Sequence, residues 1–215
     1  MTIRHHLSDD LLMAYSAGEL PEAFGLVVAT HVSLCDDCRA RLESFDAVGG
    51  AVLAQGETAS IGADSLAATM ALIKSGAPKD KTPETPRRRG IFPAPLADYA
   101  GGGPEAVKWR RVGGGVRQAI LPAGDGASAR LLYIPAGAAV PDHGHHGLEM
   151  TLVLQGAFRD ETARFGRGDV EIATEADEHT PVAEAGEDCI CLAATDAPLR
   201  FNAILPRLVQ SFFRI

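Results

Sequence analysis

Gly137-Ala-Ala-Val-Pro-Asp-His143-Gly-His145-His-Gly-Leu-Glu149-Met-Thr-Leu-Val-Leu-Gln-Gly156 spaces two histidines and a glutamate so that an extended chain brings them to one surface. His143 and His145 are two residues apart, so on a strand both side chains leave the same face. Glu149 follows a turn containing Gly147 and returns to that face. Gly156 permits a tight reversal into the next strand. His146 points away from the others and is not counted as a ligand. Imidazole and carboxylate donors in this number suit zinc, manganese or iron.

The sequence around this segment has the texture of a β domain. Val116–Leu121, Arg130–Ile134, Thr151–Leu154, Val170–Ile172 and Cys189–Leu192 are short runs of β character separated by Gly, Pro and Asp turns. Many short strands at close spacing predict a sandwich or barrel. The spacing Gly137-x5-His143-x-His145-x3-Glu149-x6-Gly156 resembles, without a gap, the first metal-binding motif of the cupin β-barrels. That resemblance implies a third histidine from a later strand, and His179, after Gly168-Asp169, is the candidate. The second motif departs from the family pattern: its Pro-x-Gly is missing, and Ala173-Thr174-Glu175-Ala176-Asp177 stands there. The implied cup is His143, His145, Glu149 and His179, holding zinc, with manganese or iron as alternatives. Cys189 and Cys191 share one strand face, a poor placement for a disulfide with each other. They read as two small buried residues in a barrel wall, or as an oxidation-sensitive pair near the cup.

The first 77 residues read as helices. Ser8 is a plausible N-cap for Asp9–Ala17, and Gly18 a stop. Pro21 suits the first turn of a second helix reaching about Leu34. A third runs from about Asp36 through Val48 and ends at Gly49-Gly50. A fourth begins at Asp64 or Ser65 and closes at Gly76, with Leu66, Met70 and Ile73 on one face. Pro78, Pro83, Pro86, Pro93 and Pro95, with Arg87-Arg88-Arg89, leave no room for helix or strand and predict a linker over 78–95. The expected architecture is α+β and multidomain: a helical bundle over 1–77, the linker, and a barrel over 96–215.

His31-x3-Cys35-x2-Cys38 lies in the helical part. Zinc prefers thiolate and imidazole in tetrahedral sites. Cys35 and Cys38 lie three apart across a helix start, and His31 sits at the end of the preceding helix. A fourth ligand comes from His5 or His6, which spacing alone does not separate. So small a helical unit has little core, and a structural metal would help it hold shape.

The net charge of −8 is uneven. Residues 1–75 hold only Arg4, Arg39, Arg41 and Lys74 against ten Asp and Glu. Nucleic-acid binding needs a basic footprint, so direct contact with DNA or RNA is not expected. Acidic faces aid solubility, and they also suit a basic protein partner. No apolar run approaches the ~20 residues of a membrane span. The N-terminus lacks an apolar signal core, so the expected location is cytoplasmic.

An upstream His followed by His-x3-Cys-x2-Cys resembles the zinc-binding anti-sigma domain, and that resemblance favours His6 as the fourth ligand. Zinc anti-sigma domain, linker and cupin together resemble the ChrR anti-sigma factors. The likeness extends to Val27-Val28-Ala-Thr-His31, Pro93-Ala-Pro-Leu-Ala-Asp98, Gly113-Gly-Gly-Val-Arg-Gln-Ala-Ile-Leu121 and Ala193-Ala-Thr-Asp-Ala-Pro-Leu-Arg-Phe-Asn202. It implies a non-enzymatic regulator. Such a regulator grips an extracytoplasmic-function sigma factor and releases it under singlet oxygen or related oxidative stress, with the cupin as sensor. The competing expectation is a metal-dependent, dioxygenase-like cupin enzyme with an accessory zinc domain.

Overall fold

The computed structural model describes residues 2–76, 90–140, 143–144, 146–197 and 200–201. Helices come first: α1 (Asp9–Ser16), α2 (Glu22–Val32), α3 (Asp36–Gln55), α4 (Ser65–Ser75) and α5 (Ala94–Ala100). Among the described residues twelve short strands follow: β1 (Arg110–Gly113), β2 (Val116–Leu121), β3 (Ser128–Ile134), β4 (His143–Gly144), β5 (Glu149–Gln155), β6 (Ala157–Arg159), β7 (Arg164–Gly166), β8 (Val170–Ala173), β9 (Glu178–His179), β10 (Val182–Ala183), β11 (Cys189–Thr195) and β12 (Arg200–Phe201).

The helix ends follow local chemistry. Ser8 caps α1 by accepting from the Leu11 N–H, and Asp9 and Asp10 lie at the positive end of the helix. Gly18, at φ 72°, takes the left-handed turn just beyond. Pro21 stands at the N-cap of α2. Two expectations need correction. α3 does not stop at Gly49-Gly50 but continues to Gln55. A mid-helix glycine costs only about 1 kcal/mol relative to alanine, and the surrounding Ala47, Ala51, Leu53 and Ala54 favour the helix. The range 78–95 is also not wholly without helix. α5 begins at Ala94, with Pro93 at its N-cap and Pro95 in the first turn, where a missing N–H breaks no helical bond. Residues 77–89, which carry the rest of the expected linker, lie outside the described residues.

The main sheet is antiparallel, in the order β1-β2-β3-β11-β5-β8. Two three-stranded sheets, β10-β6-β7 and β12-β4-β9, complete the barrel-like unit. Strand alternation divides the sheet into two faces. The inner face packs Ile134, Val153, Cys189 and Cys191 against Phe158 and Phe165. The outer face packs Leu131, Leu152, Leu192 and Ala194 against Phe24, Val27, Val28 and Leu96 from the helices. β11 is therefore buried on both sides along its whole length. One apolar cluster runs through helices and sheet together. α2 is the layer between, and it buries Ala23, Phe24, Leu26, Val27, Val28, Thr30 and His31.

Candidate metal centres and the exposed helix faces

The first centre is built by a tight corner. The N–H groups of Leu34 and Cys35 both return to the His31 carbonyl at 2.8 and 2.9 Å, so α2 ends directly on the start of α3. Cys35 becomes the N-cap of α3, and its sulfur accepts from the Cys38 N–H. The segment before α1 supplies His6, whose Nδ1 lies 3.3 Å from Cys35 Sγ and 3.6 Å from Cys38 Sγ. One donor atom from each of His6, His31, Cys35 and Cys38 lies within 4.8 Å of all the others. His5 is turned away, its ring 4.4 Å from that of Phe165.

This donor set fits a metal ion. His31 Nδ1–H donates to the Gly168 carbonyl at 2.9 Å, which leaves Nε2 as the inward nitrogen. Nε2 is buried without a hydrogen-bond partner, a costly state that a metal relieves. Burial lowers the His31 pKa to about 4, so the ring is neutral and able to ligate. Burial pushes the Cys38 thiol up to about 11, and a bound cation would reverse that. Arg41 braces the centre. Its Nη1 donates to the Leu7 carbonyl at 3.0 Å and lies 3.9 Å from Cys38 Sγ, while Nε donates to Asp9 at 2.9 Å. Sequence reading missed Arg41, because one arginine on a helix carries no signal of what it reaches.

The second centre gathers around His179. The β4–β9 ladder pairs His143 with His179 in register. His145 lies outside the described residues. Glu149 opens β5, buried, and accepts from the Thr151 hydroxyl at 3.2 Å. His179 Nδ1 lies 2.9 Å from Glu171 and 3.5 Å from Asp160. Asp160, Glu171 and His179 bring donor atoms within 4.8 Å of one another. Burial alone would lower the His179 pKa, but Glu171, Glu149 and Asp160 outweigh it and raise it to about 9. Burial lifts Glu171 to about 7, with His179 opposing. A carboxylate on Nδ1 fixes the ring and directs its other nitrogen, the usual support of a metal-bound histidine.

Strand register extends the polar row. Arg130 lies opposite Ala193, Ala193 opposite Thr151, and Thr151 opposite Glu171. Arg130 is buried, with Nε and Nη1 unpartnered. Sequence reading missed Asp160, Glu171 and Arg130. Single charged residues in short strands read as outward-facing, and only the barrel's closure turns these inward. Cys189 and Cys191 are buried thiols with sulfurs 3.5 Å apart.

A third feature is uncovered apolar surface. Beyond Leu42, only Phe45 of α3 packs partly against the core, and α4 has no buried residue. Val48, Val52, Leu53, Leu66, Met70, Leu72 and Ile73 are all exposed, Leu53 to 82%. Exposed apolar side chains in this number on two consecutive helices mark surface of the kind that partners cover.

The ChrR Cupin-like domain family matches residues 100–198. The anti-sigma-E factor ChrR of Cereibacter sphaeroides is 64% identical over 216 residues, spanning 100% of both chains. The chain belongs to the ChrR anti-sigma factor family. A crystal structure of Rhodobacter sphaeroides SigE in complex with the anti-sigma ChrR matches with a TM-score of 0.79 at 62% identity. That match covers 91% of this chain and 100% of the other. An RmlC-like cupin protein from Ralstonia eutropha aligns over 47% of this chain and 71% of its own, with 22% identity and a TM-score of 0.41. Family membership fits the two-part architecture, with helices N-terminal and the cupin-like unit C-terminal. Among the described residues, no helix is long and apolar enough to cross a membrane.

Proposed function

We propose that this chain is a cytoplasmic anti-sigma factor. It binds and inhibits an extracytoplasmic-function sigma factor through its helical segment, and releases it under singlet oxygen or related oxidative stress. The observation that carries this reading is the uncovered apolar face of α3 and α4. The likeness, over 91% of this chain, to a protein solved with its sigma factor supports it. The acidic balance of residues 1–75 suits a basic partner and disfavours nucleic acid.

His6, His31, Cys35 and Cys38 are the proposed zinc ligands. When bound, zinc supplies a structural cross-link among the segment before α1, the end of α2 and the start of α3. That link sets the angle at which α3 leaves the body, and with it the apolar face. His143, His145, Glu149 and His179 are the proposed ligands of the cup, for zinc or alternatively manganese or iron. Glu171 and Asp160 sit behind His179. The cup is read as the sensor and not as an oxygenase, in keeping with a regulatory family. The functional units are residues 1–77 and 96–215, joined by 78–95.

Co-purification of the full-length protein with a sigma factor from its native cell tests the reading, followed by in vitro transcription with the purified pair. Stoichiometric capture and loss of sigma-dependent transcripts are expected. Undiminished transcription at saturating protein would sink the proposal.

A further inference from the structure

One short stretch of chain touches both candidate metal centres. β8 is an outer strand of the main sheet, and the N-terminal segment lies along it: the Val170 N–H donates to the His5 carbonyl at 3.2 Å. Just before β8, Asp169 Oδ1 accepts from two consecutive backbone N–H groups, Arg4 at 2.6 Å and His5 at 3.0 Å. Its other oxygen accepts from the Gly166 N–H at 2.8 Å, so the carboxylate is fixed in its own turn while it holds the N-terminal segment. Asp169 is buried. Gly168 is anchored to the sheet by its N–H on the Val153 carbonyl at 2.8 Å, and its own carbonyl receives His31 Nδ1–H. Two of the four N-terminal donors are thus oriented by the cupin-like unit: His31 through its ring, and His6 through the backbone next to it. Two residues further along, Glu171 holds His179.

We propose that Asp169 and the Gly168 carbonyl are positioning groups for the His6/His31/Cys35/Cys38 centre, so that β8 mechanically couples the cup to metal retention in the helical segment. The inference rests on the zinc-bound anti-sigma reading and deepens it by naming the connection. Outer partners that fix a ligand's tautomer and direction typically alter metal affinity about 10–100-fold when removed. A cavity of about 370 Å³ adjoins the N-terminal segment, lined by Arg4, His5 and His6 and by Asp160, Glu171 and His179. Packing there is incomplete, which leaves the hydrogen bonds to β8 as the firm attachment. A shift of β8 by one hydrogen-bond length would leave His31 without its orienting carbonyl and slacken His6 together with it.

The test uses full-length protein loaded with cobalt, because the cobalt–thiolate charge-transfer band reports the two-cysteine centre and not the cup. Loss of that band to excess chelator is timed for the parent, Asp169→Ala, Asp169→Asn and Glu171→Gln. Asp169→Ala is expected to lose the band about tenfold faster. Asp169→Asn keeps an oxygen acceptor and should restore most of the parent rate. Glu171→Gln, which touches no N-terminal ligand, should change the rate in the same direction as Asp169→Ala. A parental rate in a folded Asp169→Ala overturns the proposal, as does an unchanged rate in Glu171→Gln. If Asp169→Ala does not fold, Glu171→Gln decides: faster loss of the band supports the proposal and an unchanged rate overturns it. A persistent band in Cys35→Ser, or no sigma factor captured by the parent, points instead to failure of the underlying functional reading.

Discussion

Gly156 illustrates how much a single position fixes. Its φ is +67°, and a Cβ there would stand 2.7 Å from the Asp188 carbonyl oxygen and 3.2 Å from Cys189 Cα. Neither backbone atom can move without displacing the start of β11. Gly156→Ala should therefore cost roughly 2–4 kcal/mol, combining left-handed strain with overpacking. A shift in urea midpoint measures this, and a change within the scatter of ordinary surface variants counts against it. Cys35 and Cys38 are the second case at this scale. Structural zinc contributes directly to folding free energy, on the order of 10 kcal/mol in small zinc peptides. Cys35→Ser or Cys38→Ser should remove one metal ion per chain by emission spectroscopy and weaken sigma capture in a pull-down. Unchanged metal content in both variants would exclude them as ligands.

α3 is the element on which the functional reading depends. Its first turns belong to the metal corner, and its last turns, past Gly49 and Gly50, bury nothing. A Cβ at either glycine would meet nothing within 4 Å, so the two glycines are not there for space. Gly49→Ala with Gly50→Ala should raise stability by about 1 kcal/mol per site at most, seen as a higher melting temperature. If the double variant melts lower, this half of α3 is not the plain exposed helix described. Leu53 separates stability from binding. Leu53 is 82% exposed, so Leu53→Glu should leave the free energy of urea unfolding within about 0.5 kcal/mol of the parent. Sigma capture should fall at least tenfold. Equal loss of both would make Leu53 a folding residue instead.

For the whole molecule, the issue is how two centres in one body divide the work. His143→Ala or Glu149→Ala should lower metal occupancy in the cup and blunt induction by a photosensitiser in light. Basal inhibition should survive, because neither residue is a ligand of the N-terminal centre or part of α3. A sigma-driven reporter measured in light and dark separates the two effects. Loss of basal inhibition with the N-terminal metal intact would defeat that division of labour. Residues 1–85 alone should also inhibit the sigma factor, but with a lower melting temperature than the full chain. The reason is α2: Phe24, Val27 and Val28 pack in one cluster with Leu131, Leu152 and Leu192 of the sheet, and truncation bares that side to water.

The sequence by itself determined the local chemistry. His31, Cys35 and Cys38 are legible because a helix corner brings such spacings to one point, whatever surrounds them. Ser8, Gly18 and Gly156 declare their turns for the same reason, and short runs of β character between turn residues mark the strands. Spacing alone left His5 and His6 unresolved; in the fold the His5 ring lies against Phe165, and His6 is the histidine beside the sulfurs. The inward roles of Arg130, Asp160 and Glu171 came from barrel closure, which reverses the usual meaning of a charge in a short strand. The hold of Gly168 and Asp169 on the N-terminal segment was equally invisible, since it joins residues more than a hundred positions apart. Contacts within a turn or two are encoded by backbone geometry that any reader of the sequence can apply. Contacts across the chain exist only because one hydrophobic cluster draws α2 onto the outer face of the sheet, and the buried polar groups must then find partners wherever that packing leaves them.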